Sequence, residues 1–146
     1  VRWNDVKGDE ELSRKVRWTK MKRHERCIEK MLRSYRNDPS WLLDVSRTCV
    51  VFESLTDLNR CLQSIATDDN VVVERIKNRM HNDYVSEETA GYRDVCINLR
   101  LVSAQAQALG AELHICEVQL MLLDFAHLKT VEGHFRYVHA RNARGT

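Results

Sequence analysis

A tyrosine, a carboxylate and an amide lie on two short segments that have the pattern of neighbouring β-strands. Tyr92 belongs to the segment 91–99, and Glu117 and Gln119 belong to the segment 114–120. Because a strand turns successive side chains to opposite faces, Glu117 and Gln119 share one face, and the apolar residues between them take the other. An unpaired carboxylate beneath apolar residues costs free energy. This face is therefore either a ligand cleft or a layer whose polar groups are satisfied by partners such as Arg47, Arg93 or Arg100.

Several other kinds of chemistry are not indicated. The chain has no Ser/His/Asp arrangement, no nucleophile elbow and no phosphate-binding loop of the Walker type, so nothing suggests a covalent mechanism. Its five cysteines include no C-x-x-C pair, and the six histidines are scattered. A metal site built from Cys and His needs ligands on short spacings. We therefore expect buried free thiols in a reducing, intracellular compartment, with the cytoplasm as the default.

Length and composition predict one domain over residues 1–146. Charged residues make up 30% and hydrophobic residues 43% of the chain, which is typical of a globular protein. No run of about 18 apolar residues occurs, so we expect no transmembrane segment. The chain does not begin with Met and shows no signal peptide or lipidation motif. A fragment of a larger protein is an open alternative.

Charge is distributed unevenly along the chain. Residues 1–36 carry twelve Lys and Arg against six Asp and Glu, a net charge of +6, although the whole chain has a net charge of only +2. This basic N-terminal part has a helical pattern. Two interpretations remain open: a solvated helix face, or a surface that binds the phosphates of a nucleotide or a nucleic acid.

Hydrophobic periodicity predicts helices and strands in a mixed order. Helical patterns cover about residues 10–35, 54–66 and 122–140, the second with Ser54 as its N-cap. Strand patterns cover Arg47–Glu53, expected to be buried, Val71–Lys77, Asp94–Val102, expected to be half-buried, and His114–Leu120. A polar connection spans residues 78–90. This order predicts an α+β fold with a mixed sheet of about four to five strands flanked by helices.

Four segments resemble motifs of the synthetase domain of RelA/SpoT-type alarmone enzymes, which have a nucleotidyltransferase-like fold. The segments are Lys20-Met21-Lys22 with Arg26 and Lys30-Met31, the stretch 43–50, Lys77-Asn78-Arg79 followed by Gly91-Tyr92, and Glu117-Val118-Gln119. Members of that family transfer pyrophosphate from ATP to the ribose 3′-hydroxyl of GDP or GTP. The resemblance, which covers residues 20–137, implies a divergent, nucleotide-binding member that acts as a nucleotide pyrophosphokinase if it is active.

The resemblance also implies which side chains bind the two nucleotides. Lys20, Lys22 and Arg26 match the basic helix that binds the ATP phosphates, and Lys77 matches a further basic segment. Tyr92 matches the tyrosine that stacks on the guanine of the acceptor. Two cations close together at a helix start can reach one phosphate chain, which agrees with this interpretation.

The same resemblance implies a catalytic and metal-binding group. Glu117 matches a glutamate that is a magnesium ligand or base near the acceptor hydroxyl, and Gln119 lies beside it. Asp44 is the candidate for a second Mg²⁺ ligand, although it stands three residues before Arg47 where the family spacing is five. Mg²⁺ is the expected cofactor if the domain is active.

Substitutions within the motifs leave a second hypothesis open. Arg26 and Asp94 stand where the family has Ser, and Cys96 stands where it has His. A catalytically degenerate domain would keep the fold and act as a nucleotide-, RNA- or protein-binding module in a larger assembly. The active alternative has ATP and a guanine nucleotide as its partners.

Overall fold

The computed structural model describes residues 8–11 and 21–143 of the chain. Among these residues, five helices and four strands follow the mixed order that the sequence predicts. They are α1 His24–Ser34, β1 Arg47–Phe52, α2 Leu55–Ala66, β2 Val71–Asn78, β3 Val95–Leu101, α3 Ala104–Ala108, β4 Ile115–Leu122, α4 Leu123–Ala126 and α5 Val131–Asn142, with residues 10 and 11 also helical. Short 3₁₀ turns occur at Pro39–Trp41 and Ser86–Thr89.

The four strands form one mixed sheet in the order β1-β4-β3-β2. β1 is parallel to β4, whereas β4, β3 and β2 pair in antiparallel fashion. The predicted α+β fold with a mixed sheet is thereby confirmed. No helix in the described part of the chain is long and apolar enough to cross a membrane.

The core lies between the sheet and α2. Leu58 of α2 is 2% exposed and packs against Val95, Ile97 and Leu99 of β3 and Leu120 of β4. These strand residues alternate with the polar ones, so the core occupies one face of the sheet. Ser54 begins α2 as predicted, because its side chain accepts a hydrogen bond from the amide of Asp57.

Two strand predictions were wrong about burial. β1 was expected to be buried, but it lies at the edge of the sheet and most of its residues are exposed. β3 was expected to be half-buried, but it lies between two other strands and is covered on both faces over Val95–Arg100, where all but the last residue are fully buried. Strand order, which local patterns do not encode, decides both outcomes.

Three connecting regions also differ from the sequence pattern. The predicted helix over residues 122–140 is divided into α4 and α5 by a short loop, and the link over residues 103–110 contains α3. The predicted N-terminal helix is described only in part: α1 begins at His24, and residues 12–20 lie outside the described part. The cysteines are free thiols, but only Cys96 is buried and Cys49 is exposed.

Candidate functional site

Two adjacent rows of side chains cross all four strands on the face opposite α2. We call these eight residues the polar face: Arg47, Cys49, Arg75, Lys77, Cys96, Asn98, Glu117 and Gln119. The first row joins Glu117 to Asn98 and to the arginines of both edge strands. The second row joins Gln119 to Cys96 and to Lys77. A carboxylate and an amide therefore lie near the middle of the sheet, between cations at both edges.

A β-bulge brings the basic residues of β2 onto the polar face. The register passes from Val73 opposite Leu99 to Arg75 opposite Asn98, so one residue of β2 is left without a partner. Val73 accordingly packs into the core, while Arg75 and Lys77 take the other face. Burial, followed by the charges of two neighbouring arginines, lowers the pKa of Lys77. The bulge thus concentrates positive charge at this edge.

Glu117 and Gln119 are joined by a side-chain hydrogen bond. The amide nitrogen of Gln119 donates to Oε1 of Glu117 at 3.2 Å. No Lys or Arg of the described residues forms an ion pair with this carboxylate: Arg100 instead contacts a glutamate of β2 at 2.6 Å, and Arg93 donates to backbone carbonyls. The structure therefore does not support the alternative in which an arginine forms an ion pair with Glu117.

Tyr92 lies beside the polar face, where β3 begins. Its ring is half-buried, and its hydroxyl lies 3.6 Å from the sulfur of Met121. Burial, and then the negative charge of Asp94, raises the pKa of the Tyr92 phenol, so the hydroxyl stays protonated at neutral pH. The ring therefore offers a neutral aromatic surface.

Lys129 is a site residue that the sequence interpretation missed. Its Nζ lies 5.3 Å from the centroid of the Tyr92 ring and 3.4 Å from Oε1 of Gln119. It belongs to the loop between α4 and α5, which the sequence pattern had assigned to one continuous helix. Gly133 was a local sign of that break.

A second cluster of charges lies just before β1. The carboxylate of Asp44 pairs with the ammonium groups of Lys22 and Lys30, the latter at 3.1 Å. Burial opposes ionisation of Asp44, but the hydrogen bond from Lys22 and the two positive charges outweigh it and lower its pKa. Arg26, by contrast, is exposed and pairs with Glu29 of its own helix. Lys20, the remaining cation of the motif, lies outside the described residues.

The described residues contain no preformed cluster of metal ligands. One oxygen of Asp44 contacts two ammonium groups, which repel a divalent cation, and no group of three His, Cys, Asp or Glu residues in the described part could hold a metal ion. The Mg²⁺ assignment thus remains a prediction of the resemblance.

Asp94 and Cys96, which replace the family serine and histidine, have contacts that are typical of structural rather than catalytic residues. Asp94 is fully buried and pairs with Arg79 at 2.6 Å. Burial, and then the charge of Glu117, raises the pKa of the Cys96 thiol to about 12. Cys96 is therefore a neutral thiol at physiological pH, and neither residue supplies a hydroxyl or an imidazole.

The candidate residues follow an order along the parallel strands β1 and β4. Asp44 precedes Arg47, the register partner of Glu117, so its two lysines lie beyond one end of the polar face. Gln119 follows two residues later, about 7 Å along the strand, and the tyrosine that contacts Met121 follows after that. Lys22 and Lys30 thus lie toward one end of the site and the aromatic ring toward the other, with Glu117 and Gln119 between them.

The other side of the sheet carries an apolar depression of about 410 Å³. It lies between α2 and the ends of β2 and β3, and residues such as Leu55, Leu62, Met80 and Val95 line it. Its lining includes no charged residue, so it does not fit the phosphates of a nucleotide. The polar face is the better candidate.

Solved structures of small alarmone synthetases have a similar fold. Small alarmone synthetase 1 from Bacillus subtilis aligns with a TM-score of 0.64 and 15% identity, over 84% of this chain and 61% of that one. Its complex with the product pppGpp aligns with a TM-score of 0.62 and 14% identity, over 85% and 67%. A GTP pyrophosphokinase family protein from Streptococcus pneumoniae aligns with a TM-score of 0.66 and 18% identity, over 92% and 69%.

Comparison of the whole sequence with family models and with curated proteins does not detect this relationship. No protein-family model matches the chain, and no curated protein is significantly similar to it. The chain also spans only 61% of the length of the first Bacillus synthetase structure. At such low identity the likeness concerns the fold, and it agrees with the motif resemblance that covers residues 20–137. The chain therefore has the fold of a RelA/SpoT-like synthetase domain.

Proposed function

We propose that this domain binds nucleotides on the polar face and, in its active form, transfers pyrophosphate from ATP to a guanine nucleotide. The order of groups along the sheet is the observation that carries this proposal. Lys22 and Lys30 lie at one end, Tyr92 lies at the other, and Glu117 with Gln119 lies between them. Such a transfer needs cations for the donor phosphates, an acidic group near the acceptor hydroxyl and a surface for the acceptor base.

The donor end would bind the phosphate chain of ATP. Lys22 and Lys30 share one carboxylate, so the cluster keeps a net positive charge. Lysine ammonium groups have three donors each and can contact phosphate oxygens without losing Asp44. Lys77 lies at the β2 edge in the row of Gln119, and so supplies a further cation farther along the same face. Arg26 would have to leave Glu29 in order to take part.

The acceptor end would bind the guanine nucleotide. Tyr92 offers an aromatic surface on which a base can stack, and Glu117 lies toward the donor phosphates. Because Glu117 has no ion pair among the described residues, its carboxylate can accept a hydrogen bond from the acceptor hydroxyl. Gln119 holds that carboxylate in place through its amide. In this arrangement Glu117 acts as the general base.

A second candidate function is nucleotide binding without transfer. At two motif positions the chain has residues of a different kind: Asp94 forms a buried ion pair, and Cys96 is a neutral thiol. Loss of a hydroxyl and an imidazole at these positions favours a degenerate module that binds a nucleotide, an RNA or a protein within a larger assembly. The Bacillus subtilis synthetase that was solved with bound pppGpp has a similar fold. This likeness supports nucleotide binding whether or not the domain also catalyses transfer.

A transfer assay with matched variants separates the two functions. The purified domain is incubated with ATP, GDP or GTP, and magnesium, and release of AMP is measured. If transfer occurs, Glu117→Gln should lower its rate by about 100-fold or more, because general base catalysis typically contributes this much. Glu53→Gln, which changes an exposed glutamate after β1, is the control and should leave the rate unchanged.

Folding of each variant is checked by urea unfolding. Since Glu117 has no ion pair among the described residues, Glu117→Gln should change the free energy of unfolding by less than about 1 kcal/mol. Nucleotide binding without AMP release would establish the second function. Absence of both binding and transfer in the folded wild type would contradict the proposal.

A further inference from the structure

We propose that Lys129 binds a phosphate group of the guanine nucleotide and so selects phosphorylated acceptors over the bare nucleoside. This inference rests on the proposed nucleotide binding at the polar face. It concerns a residue that lies outside the four motifs, in the loop between α4 and α5.

The position of the ammonium group is the first argument. Nζ of Lys129 lies 3.4 Å from Oε1 of Gln119 and 5.3 Å from the Tyr92 ring centroid. Two successive hydrogen bonds, from Lys129 to the Gln119 amide oxygen and from the Gln119 amide nitrogen to Glu117, connect it to the carboxylate. Lys129 therefore brings a positive charge to the point where the aromatic surface meets the carboxylate.

The ammonium group of Lys129 also has hydrogen-bond donors that are not used within the described part of the chain. An ammonium has three donors, and Gln119 accepts from one of them. No carboxylate in the described part of the chain forms an ion pair with Lys129, and the side chain is exposed. An exposed cation beside a tyrosine face and an amide oxygen can add a phosphate oxygen to its partners with little rearrangement.

The contact with Tyr92 does not conflict with stacking of a base. The contact of an exposed ammonium with an aromatic ring is weak, whereas a hydrogen bond between an ammonium and a phosphate is charge-assisted and stronger. A base that enters over Tyr92 can displace the ammonium, which then turns to the phosphate of the same nucleotide. The lysine should thus favour binding only when the ligand carries a phosphate.

The test measures affinity for guanosine, GDP and GTP by calorimetric titration of the wild type and of Lys129→Ala. The variant should lose about tenfold in affinity for GDP and GTP, which is the size of one charge-assisted hydrogen bond. Its affinity for guanosine should not fall. Lys129→Arg keeps the charge and should retain most of the affinity, and Arg136→Ala, a change to an exposed cation of α5, should behave as the wild type.

Each result decides the inference. Equal affinity of the wild type and Lys129→Ala for GDP would overturn it, and so would an equal loss for guanosine, which would mark Lys129 as a support of the Tyr92 ring. If the folded wild type binds no guanine nucleotide, the inference and the proposed function both fail. If Lys129→Ala loses affinity only for the phosphorylated ligands and the wild type releases no AMP, the inference is supported and only the transfer reaction is rejected. Lys129→Met, which keeps the apolar stem, replaces Lys129→Ala if the latter does not fold.

Discussion

At the scale of single residues, Asp94 and Arg79 form a buried ion pair next to the candidate site. Asp94 is 0% exposed, and its Oδ1 accepts a hydrogen bond from Arg79 at 2.6 Å. The backbone amide of Arg79 also donates to the carbonyl of Asp94. Arg93, the neighbour of Asp94, donates to three carbonyls of the segment 79–84. These contacts hold the long connection between β2 and β3, and therefore the start of β3 where Tyr92 lies.

Removing one member of this pair should cost much more than removing both. Arg79→Met leaves the Asp94 carboxylate buried without its partner, so we expect a loss of about 3 kcal/mol in the free energy of unfolding. The double variant Arg79→Met with Asp94→Leu removes the uncompensated charge and should recover part of that loss. Urea unfolding of the wild type, both single variants and the double variant measures the coupling. Additive effects of the two changes would contradict an energetic link between Arg79 and Asp94.

At the scale of elements, the break between α4 and α5 positions Lys129. Thr130 begins α5, because its hydroxyl accepts a hydrogen bond from the amide of Gly133 at 3.0 Å. A Cβ on Gly133 would lie 1.9 Å from the carbonyl oxygen of Leu128. The glycine therefore permits the loop to pass close to the first turn of α5. What looks like a weak point inside one helix is a requirement of the junction between two.

Gly133→Ala should accordingly destabilise the domain despite the higher helix propensity of alanine. The added methyl group meets a backbone carbonyl, and overpacking of this kind typically costs about 1–3 kcal/mol. Gly8→Ala is the matched control, because among the described residues no atom beyond its chain neighbours lies within 4 Å of the position its Cβ would take. Thermal and urea unfolding of both variants provide the measurement. A Gly133→Ala variant as stable as the wild type would show that the junction can relax.

At the scale of the whole molecule, the buried carboxylate of Asp44 joins α1 to the start of the sheet. Asp44 contacts Lys22, which precedes α1, and Lys30, which lies within it. The amide of Lys22 also donates to the carbonyl of Val45 at 3.0 Å. These contacts hold the basic segment against the residues that precede β1. Stability of this arrangement depends on the ionisation of Asp44.

The stability of the domain should therefore fall in acid, in part through Asp44. The pKa of Asp44 is lowered in the folded state from its usual value of 3.8. Its contribution is thus present above about pH 4 and is lost as the pH falls through the lower folded-state value. Asp44→Asn should cost about 2 kcal/mol at pH 7, and the difference from the wild type should shrink below pH 4. Urea unfolding between pH 7 and pH 3 tests this.

Asp69→Asn serves as the control, since Asp69 is exposed in the turn before β2. Its difference from the wild type should stay small across the same pH range. A constant difference for Asp44→Asn down to pH 3 would contradict the proposed role of the Asp44 carboxylate.

Much of the fold follows from local patterns in the sequence. The strands from Arg47, Val71 and Val95 and the Ser54 cap were predicted because alternation and capping depend on neighbours along the chain. The spacing of Glu117 and Gln119 likewise places both on one face, and their hydrogen bond agrees with it. The α+β class and the resemblance to the alarmone synthetase domain rest on the same local information.

Contacts between distant segments decided the rest. The edge position of β1 and the burial of β3 depend on strand order, and the bulge after Val73, which turns Arg75 and Lys77 toward Glu117, depends on pairing with β3. The pairing of Asp44 with two lysines and the approach of Lys129 to Tyr92 join residues 14 to 37 positions apart. The sequence by itself therefore indicated most groups of the site, although not Lys129. Only the tertiary structure decided which of them meet, because contacts of this kind arise from the packing of whole elements.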